Sequence, residues 1–370
     1  MKNKLLSIIS ASFICLCSIF PSNAAFADEV SYPDYGSTAS TAAIVMEASS
    51  GSILFSQAAN KELYPASITK IMTAYLAIKY GNFKDIVTFS EDAVYKTEGS
   101  SILRDVGEEL TLEECLYAMM LESANDCAYA IAEHVGGTYD HFIEMMNEAA
   151  TELGCTHTHF TNPHGLPDED HYTSVHDMAL IAQAAYESEA FRIITGTKEY
   201  VLRKTNKHNQ KLYMHNHHAM LYPYRTYSYL YDYCVGGKTG YTVAAGSTLV
   251  TFAKHNDMTL ICVTMNATPP NHYLDTTSLL NFCFDNFTNY DISDYVTSGN
   301  TSKIASYAST DEYLSLDEGS CVTVPNGVDF SDLTSEVSSI SDSSDSAGVI
   351  TYYYDDKVVG SAKIKSSSTE

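Results

Sequence analysis

The sequence has 370 residues, of which 45% are hydrophobic and 18% are charged, and its formal net charge is −25. A chain of this length forms about two domains, and its composition excludes a wholly disordered or a collagen-like protein. Because phosphate groups are bound by clusters of Lys and Arg, the excess of carboxylates argues against nucleic acid or an anionic membrane as a partner.

The N-terminus has the pattern of a cleavable secretory signal. Two lysines precede an apolar run over 5–20, and an Ala-x-Ala pattern ends at Ala27. The run is ~16 residues long, which is shorter than the ~20 residues that a membrane-spanning helix needs. We therefore expect a signal peptide over 1–27 that is cleaved after Ala27, an extracytoplasmic protein that is secreted or associated with the cell wall, and a polar linker over 28–40.

Hydrophobic periodicity predicts strands, then helices, then strands again. Apolar runs at 42–46 and 52–55 flank a turn that contains glycine, which is a hairpin pattern. Helical spacing follows, and the predicted helices are 67–80, 110–120, 126–134, 139–153 and 177–186. The later predicted strands are 230–235, 239–243, 247–253 and 260–265. This order implies an α+β fold in which helices pack on an antiparallel sheet.

The composition changes near residue 285, after which Ser, Thr, Asp and Tyr dominate. Short apolar runs at 321–324 and 349–354 are typical of strands. We therefore predict a larger domain over 41–286 and a small β-rich domain over 287–370.

Ser67 and Lys70 form the only S-x-x-K pattern in the sequence. A Ser hydroxyl is a poor nucleophile until a base takes its proton. Residues three apart on a helix share a face, so the Lys70 amine can reach the Ser67 oxygen. The amine must be neutral to act as a base, and burial beside a second cation would lower its pKa. Taken alone, the pair would more simply be two surface residues.

Two further motifs follow in chain order: Ser123-x-Asn125 and Lys238-Thr239-Gly240. Alone, the first is typical of a helix cap and the second of a strand end. If the motifs belong to one site, Lys238 would be the second cation beside Lys70. Gly240 would leave room for an extended peptide along the strand edge, and Lys238 with Thr239 could hold the terminal carboxylate of that peptide. The three motifs in this order favour a serine acyl-transfer enzyme.

These motifs and their surroundings resemble the serine-type D-alanyl-D-alanine carboxypeptidases, the low-molecular-mass penicillin-binding proteins. The resemblance lies in the blocks 64–73, 123–128, 162–166 and 236–246. It implies a β-lactamase/transpeptidase-like catalytic domain followed by a small all-β domain. The implied reaction removes the last D-alanine from peptidoglycan stem pentapeptides through an acyl-enzyme, which limits cross-linking. The resemblance also implies acylation by β-lactam antibiotics and no metal or organic cofactor.

The resemblance implies a role for each motif residue. Ser67 would be the acylated nucleophile, Lys70 its base and Ser123 a proton relay. The residues that would bind the acyl-chain amide and the terminal carboxylate of the substrate are Asn125, Lys238, Thr239, Gly240 and Tyr241. The backbone N–H groups of Ser67 and Tyr241 would form the oxyanion hole. Many members of the family end in a membrane anchor, whereas this sequence ends in polar residues, so we expect no clear C-terminal anchor.

Three alternatives stay open at this point. A class A-like β-lactamase shares S-x-x-K and K-T-G but usually has Ser-Asp-Asn and a deacylating Glu, whereas this sequence has Ser-Ala-Asn at 123–125. A catalytically silent wall-binding or sporulation-associated homologue would keep the fold without the reaction. Transpeptidation to another acceptor could use the same site.

Other residues suggest weaker interpretations. Histidines at 157–159 and 215–218 could be metal ligands, but no Cys or carboxylate is spaced for a standard site, so polar loops and core positions are favoured. Alternating tyrosines over 222–233 predict one packed sheet face rather than a glycan-stacking platform. The seven cysteines after the signal show no disulfide framework, although a single bridge between Cys115 and Cys127 stays open.

Overall fold

The computed structural model describes residues 30–292, 312–316, 319–338 and 348–368. The predicted signal peptide lies outside these residues. The strands in chain order are β1 (Ala42–Glu47), β2 (Ile53–Gln57), β3 (Ile86–Thr88), β4 (Glu109–Thr111), β5 (Glu199–Leu202), β6 (Leu212–His215), β7 (Cys234–Thr242), β8 (Gly246–His255), β9 (Met258–Ala267), β10 (Phe287–Asp291), β11 (Glu312–Leu316), β12 (Cys321–Pro325), β13 (Thr334–Ser338), β14 (Gly348–Tyr354) and β15 (Lys357–Ser368). The helices are α1 (Lys70–Tyr80), α2 (Glu91–Tyr95), α3 (Leu112–Leu121), α4 (Asn125–Gly136), α5 (Tyr139–Glu152), α6 (Val175–Tyr186), α7 (Glu189–Gly196) and α8 (Asn271–Asn286).

A five-stranded antiparallel sheet, in the order β2-β1-β9-β8-β7, lies at the centre of the larger part of the chain. Every residue of β1 is buried, because both faces of the sheet are covered. Successive side chains of a strand point to opposite faces. Ile44 and Met46 therefore join a large core with helices α1 and α3–α6, whereas Ala43 and Val45 join a smaller core with α8. The predicted α+β class, with helices on an antiparallel sheet, is confirmed.

The described residues of the C-terminal part form strands, apart from a 3-10 turn at Phe330–Asp332 and the loops that join them. It contains a sheet in the order β11-β15-β14-β13 and the pair β10-β12. Its apolar side chains form a third core, separate from the other two. Ser50 and Thr323 share a hydrogen bond of 2.7 Å, and Glu47 accepts one of 3.2 Å from Asn289, so the β1–β2 turn contacts this part directly.

Some predicted elements were wrong. The two strands predicted at 230–235 and 239–243 are one strand, β7, which begins at Cys234. The tyrosines over 222–233 lie mostly in turns, so they do not form a sheet face. Helices α2, α7 and α8 and the short strands β3–β6 were not predicted. Among the residues that the structure describes, no helix has the length and apolar composition needed to cross a membrane.

Candidate active site

Ser67 lies in a buried turn at the start of the central helix α1. The predicted helix over 67–80 begins instead as a 3-10 turn, Ala66–Thr69, which continues into α1 at Lys70. Ala66 has a φ of +52°, a left-handed conformation that is strained for a residue with a Cβ. The Thr248 hydroxyl of β8 donates to the Pro65 carbonyl at 2.8 Å, so the sheet holds the start of this turn.

The Lys70 amine is fully buried and has three polar partners. Its Nζ lies 3.1 Å from Ser67 Oγ, 2.7 Å from Asn125 Oδ1 and 2.6 Å from the His164 carbonyl oxygen. Burial lowers the pKa of Lys70 well below its usual value, and the nearby Lys238 charge lowers it further. Helix spacing therefore brings Ser67 and Lys70 together as the sequence predicted.

The other two motifs meet at the same site. Ser123 has a φ of +61° between α3 and α4, and its Oγ accepts a hydrogen bond of 3.0 Å from Lys238 Nζ. Lys238 is 2% exposed, and burial lowers its pKa to about 7. A Cβ added to Gly240 would lie 2.8 Å from the Ser67 nitrogen, so only glycine allows β7 to pass this close to the Ser67 turn. Thr239 and Tyr241 lie on either side of Gly240 in β7, and the Tyr241 ring is exposed.

A loop before α3 is tied to the second motif. Asn125 Nδ2 donates to the Glu98 carbonyl at 2.5 Å, and the Asn125 backbone N–H donates to the Ser100 carbonyl at 2.7 Å. The buried carboxylate of Asp126 accepts from the Ser101 hydroxyl at 2.7 Å. The loop therefore fixes the Asn125 amide with its oxygen toward Lys70.

The 162–166 block packs against the Ser67 turn. The Thr73 hydroxyl donates to the Pro163 carbonyl at 2.6 Å, and the Gly165 N–H donates to Asn162 Oδ1 at 2.7 Å. Gly165 has a φ of +89°, and a Cβ there would overlap the Ala66 carbonyl. The block thus lies against the backbone of the residue before Ser67.

His171 holds the same turn from behind, a contact that the sequence did not predict. The Thr161 N–H donates to His171 Nδ1 at 3.0 Å, which leaves the proton on Nε2. His171 Nε2 lies 3.0 Å from Thr69 Oγ1, and Thr69 Oγ1 donates to the Ala66 carbonyl at 2.8 Å. Burial lowers the pKa of His171 to about 3, so the imidazole is neutral and this chain of hydrogen bonds keeps one direction.

The histidine groups considered as metal ligands do not come together. His157 lies 3.3 Å from Glu62, and His159 Nδ1 lies 2.6 Å from the Asp170 carbonyl. His217 Nε2 lies 2.9 Å from Glu122, the residue before Ser123. The seven described cysteines are free thiols, so the bridge between Cys115 and Cys127 is not formed.

A different group, Asp105, Glu108 and His208, could share a metal ion by proximity. Its buried member, Glu108, is already paired with Arg104 at 2.9 Å and with the Thr205 hydroxyl at 2.6 Å. These contacts satisfy the carboxylate without a metal.

Comparison with known proteins shows the family to which the chain belongs. Residues 27–269 match the family model of D-alanyl-D-alanine carboxypeptidase. The chain belongs to this family. It is 32% identical to the D-alanyl-D-alanine carboxypeptidase DacF of Bacillus subtilis over 303 residues, 80% of the chain and 75% of DacF. It is 31% identical to DacA of Haemophilus influenzae over 258 residues, which is 66% of the chain and 61% of DacA.

Solved structures of the family show the same fold. Penicillin binding protein 5 from Haemophilus influenzae is 25% identical, with a TM-score of 0.70 over 91% of the chain and 98% of that structure. A mutant of the Streptomyces K15 DD-transpeptidase is 29% identical, with a TM-score of 0.62 over 68% of the chain and 99% of that structure. The family, the fold class and the classification as a serine carboxypeptidase, a hydrolase, are therefore confirmed. These relatives give no support to a β-lactamase or a silent homologue.

Proposed function

We propose that this carboxypeptidase removes the terminal D-alanine from peptidoglycan stem peptides that end in D-Ala-D-Ala, through an acyl-enzyme on Ser67. The observation that carries the proposal is the 3.1 Å contact between Ser67 Oγ and a fully buried Lys70 amine. The family relationship supports the same reaction.

Lys70 is the proposed base, and its partners support the assignment. A neutral amine donates two hydrogen bonds and accepts one. Asn125 Oδ1 and the His164 carbonyl can only accept, so they take the two N–H groups. The lone pair is then left for the Ser67 hydroxyl, which is the partner able to donate a proton.

In acylation, Ser67 Oγ attacks the carbonyl carbon of the penultimate D-alanine while its proton passes to Lys70. The oxygen of the tetrahedral intermediate is stabilised by the backbone N–H groups of Ser67 and Tyr241. The C–N bond to the last D-alanine then breaks, and Ser123 passes its proton to the leaving amine while it takes up the proton that Lys70 received from Ser67, so Lys70 becomes neutral again. The 3.0 Å contact from Lys238 to Ser123 supports this relay, because a cation favours release of the hydroxyl proton.

Substrate binding uses the remaining motif residues. Asn125 holds the acyl-chain amide, and Lys238 with Thr239 holds the terminal carboxylate at the β7 edge beside Gly240. Water then attacks the ester carbonyl while Lys70 takes a proton from the water. The bond from the carbonyl carbon to Ser67 Oγ breaks, Lys70 returns the proton to Ser67 Oγ, and the shortened peptide leaves as a carboxylic acid. A β-lactam carries a comparable carboxylate and a reactive amide, so it acylates Ser67 as an inhibitor.

Domain organisation and location belong to the same proposal. The catalytic domain covers 41–286 and the small β-rich domain covers 287–370, which is supported by the end of α8 at Asn286 and by the separate C-terminal core. After cleavage behind Ala27, the mature protein acts outside the cytoplasm, which is where its peptidoglycan substrate lies.

The test is D-alanine release from a diacetylated Lys-D-Ala-D-Ala peptide by the chain from residue 28 onward. Ser67→Ala should abolish release, while Ser49→Ala, which removes an exposed hydroxyl in the β1–β2 turn, should leave it unchanged. A fluorescent penicillin should label wild type but not Ser67→Ala or Lys70→Met. A folded wild type that neither releases D-alanine nor takes the label would overturn the proposal, and rapid repeated penicillin turnover would favour a β-lactamase.

A further inference from the structure

The hairpin of β5 and β6 has a charge opposite to that of the whole chain. Residues 198–211 contain five cations and one carboxylate, Glu199, which gives +4 in a chain of −25. The five cations are Lys198, Arg203, Lys204, Lys207 and Lys211. This segment therefore contains nearly a quarter of the 21 Lys and Arg residues in a small part of the sequence.

The five cations of this basic hairpin form no ion pair with the carboxylates of the described residues. All five side chains are exposed. None of them pairs with a carboxylate in the part of the chain that the structure describes, where the ion pairs of Lys and Arg involve Lys79, Lys96 and Arg104. Neighbouring like charges repel each other, so an anion bound here would relieve that repulsion.

The outward face of the hairpin also presents apolar side chains. Val201 and Tyr213 are directly opposite in the β5–β6 register, and they are 41% and 65% exposed. Their strand neighbours Leu202 and Met214 point inward and are buried. Arg203 lies two residues after Val201 and Lys211 two residues before Tyr213, so both cations lie at the loop end of the apolar pair, whereas Glu199 and His215 lie at its other end.

The hairpin is held firmly on the protein. Tyr200 stacks on Tyr117 of α3 with ring centroids 4.1 Å apart. In the connecting loop, the Thr205 hydroxyl donates to Glu108 at 2.6 Å, and the Asn206 side chain bonds the backbone of Gly107 and Glu109 at 2.9 Å each. A surface that is already ordered loses little conformational entropy on binding.

We propose that this basic hairpin docks the protein onto the surface of a membrane rich in anionic phospholipids. The cations would contact lipid phosphates, and Val201 with Tyr213 would enter the boundary between headgroups and acyl chains, where an aromatic ring with a polar tip is favoured. A hydrated phosphate polymer would satisfy the cations alone and leave the apolar pair exposed. The apolar pair therefore favours a lipid surface over such a polymer.

The negative net charge does not prevent this contact. The Debye length is about 8 Å at physiological salt, so carboxylates on distant surfaces of the protein are largely screened from the membrane. The charge near the membrane therefore determines whether the protein binds. The net charge argues against an anionic membrane as a partner only for the surface outside the basic hairpin.

The experiment measures binding of the chain from residue 28 onward to vesicles of phosphatidylglycerol and phosphatidylcholine, beside pure phosphatidylcholine, at several salt concentrations. Each basic residue near an anionic surface contributes about fivefold in affinity. Neutralising Arg203, Lys204, Lys207 and Lys211 to Gln should therefore weaken binding by roughly two orders of magnitude or more. Tyr213→Ser should weaken it while leaving the charge unchanged.

The matched control neutralises four exposed lysines elsewhere, Lys61, Lys84, Lys254 and Lys363, each to Gln. Because both variants lose four positive charges, a general effect of net charge would weaken both equally. The proposal is supported if binding requires anionic lipid and weakens as the salt concentration rises. Binding should also be retained in the control variant and lost in the hairpin variant. The proposal would be overturned if the protein did not bind vesicles at low salt, or if both variants lost binding equally. It would also be overturned if soluble polyphosphate competed fully with vesicles and its own binding were unaffected by Tyr213→Ser. D-alanine release from a soluble peptide should be the same in all variants, which separates docking from catalysis.

Discussion

Gly165→Ala should slow acylation of Ser67, although the added methyl group takes no part in the reaction. The new Cβ would overlap the carbonyl oxygen of Ala66 and lie 2.9 Å from Thr69 Oγ1. Both obstacles are held in place, the first as backbone and the second by its hydrogen bond to that carbonyl. The 162–166 block cannot easily retreat either, because Thr73 binds the carbonyl of Pro163 at 2.6 Å.

The magnitude follows from the displacement. Relieving the overlap requires a backbone shift of about 1 Å in the Ala66 turn, and a misplacement of that size costs roughly 100-fold in rate. The left-handed conformation of Gly165 adds a stability cost of roughly 1–2 kcal/mol for alanine. Gly154→Ala is the matched control, since Gly154 has a φ of +80° and nothing within 4 Å of the added Cβ.

Two assays separate these effects. The second-order rate constant for labelling by a fluorescent penicillin reports the Ser67 geometry, and urea unfolding reports stability. Both variants should lose comparable stability from the backbone conformation, but only Gly165→Ala should lose the rate. If Gly165→Ala labels within about twofold of wild type while unfolding like Gly154→Ala, the argument that this block positions Ser67 is refuted.

Three other predictions concern charge and hydrogen bonding. Lys238→Gln should slow acylation and also move its acid limb to higher pH, because losing the cation raises the pKa of Lys70; a pH profile with an unmoved limb would contradict this. Thr248→Val should lower the unfolding free energy by about 1–3 kcal/mol, because the Pro65 carbonyl before the Ser67 turn loses its hydrogen-bond donor. Unchanged urea unfolding would contradict this prediction. Burial lowers the pKa of His164 and of His171 to about 3, so between pH 6.5 and pH 3 the unfolded chain binds more protons than the folded one. Unfolding free energy should therefore fall as pH falls below about 6.5, by up to about 1.4 kcal/mol per pH unit for each imidazole, and a flat profile in denaturant unfolding would refute it.

Local spacing made the first part of the site predictable. Ser67 and Lys70 share a helix face, so three residues of separation already place the amine near the hydroxyl. The partners that hold the turn were not predictable in this way. His171 and Thr248 contact it across 102 and 183 residues of sequence, and neither belongs to a motif with its partner.

The missed elements have identifiable causes. Gly236 and Gly237 interrupt the apolar pattern of β7, so one strand was predicted as two. In α8, residues with weak helix propensity such as Thr276 and Cys283 are buried against the sheet. Packing on the second face of the sheet therefore outweighs local preference in α8, and a pattern read along the chain does not contain that information.

Burial of two lysines in one site explains how the proposed roles fit together. An ammonium group without water is unfavourable, and two close together are more so. Burial lowers the pKa of Lys70 well below its usual value, and the charge of Lys238 lowers it further, whereas burial lowers the pKa of Lys238 to about 7. At neutral pH Lys238 is about half protonated. A substrate carboxylate at Lys238 would favour its charged form, and that charge would lower the pKa of Lys70 further. Binding of the substrate carboxylate therefore favours the charged form of Lys238, which holds the substrate, and the neutral form of Lys70, which acts as the base.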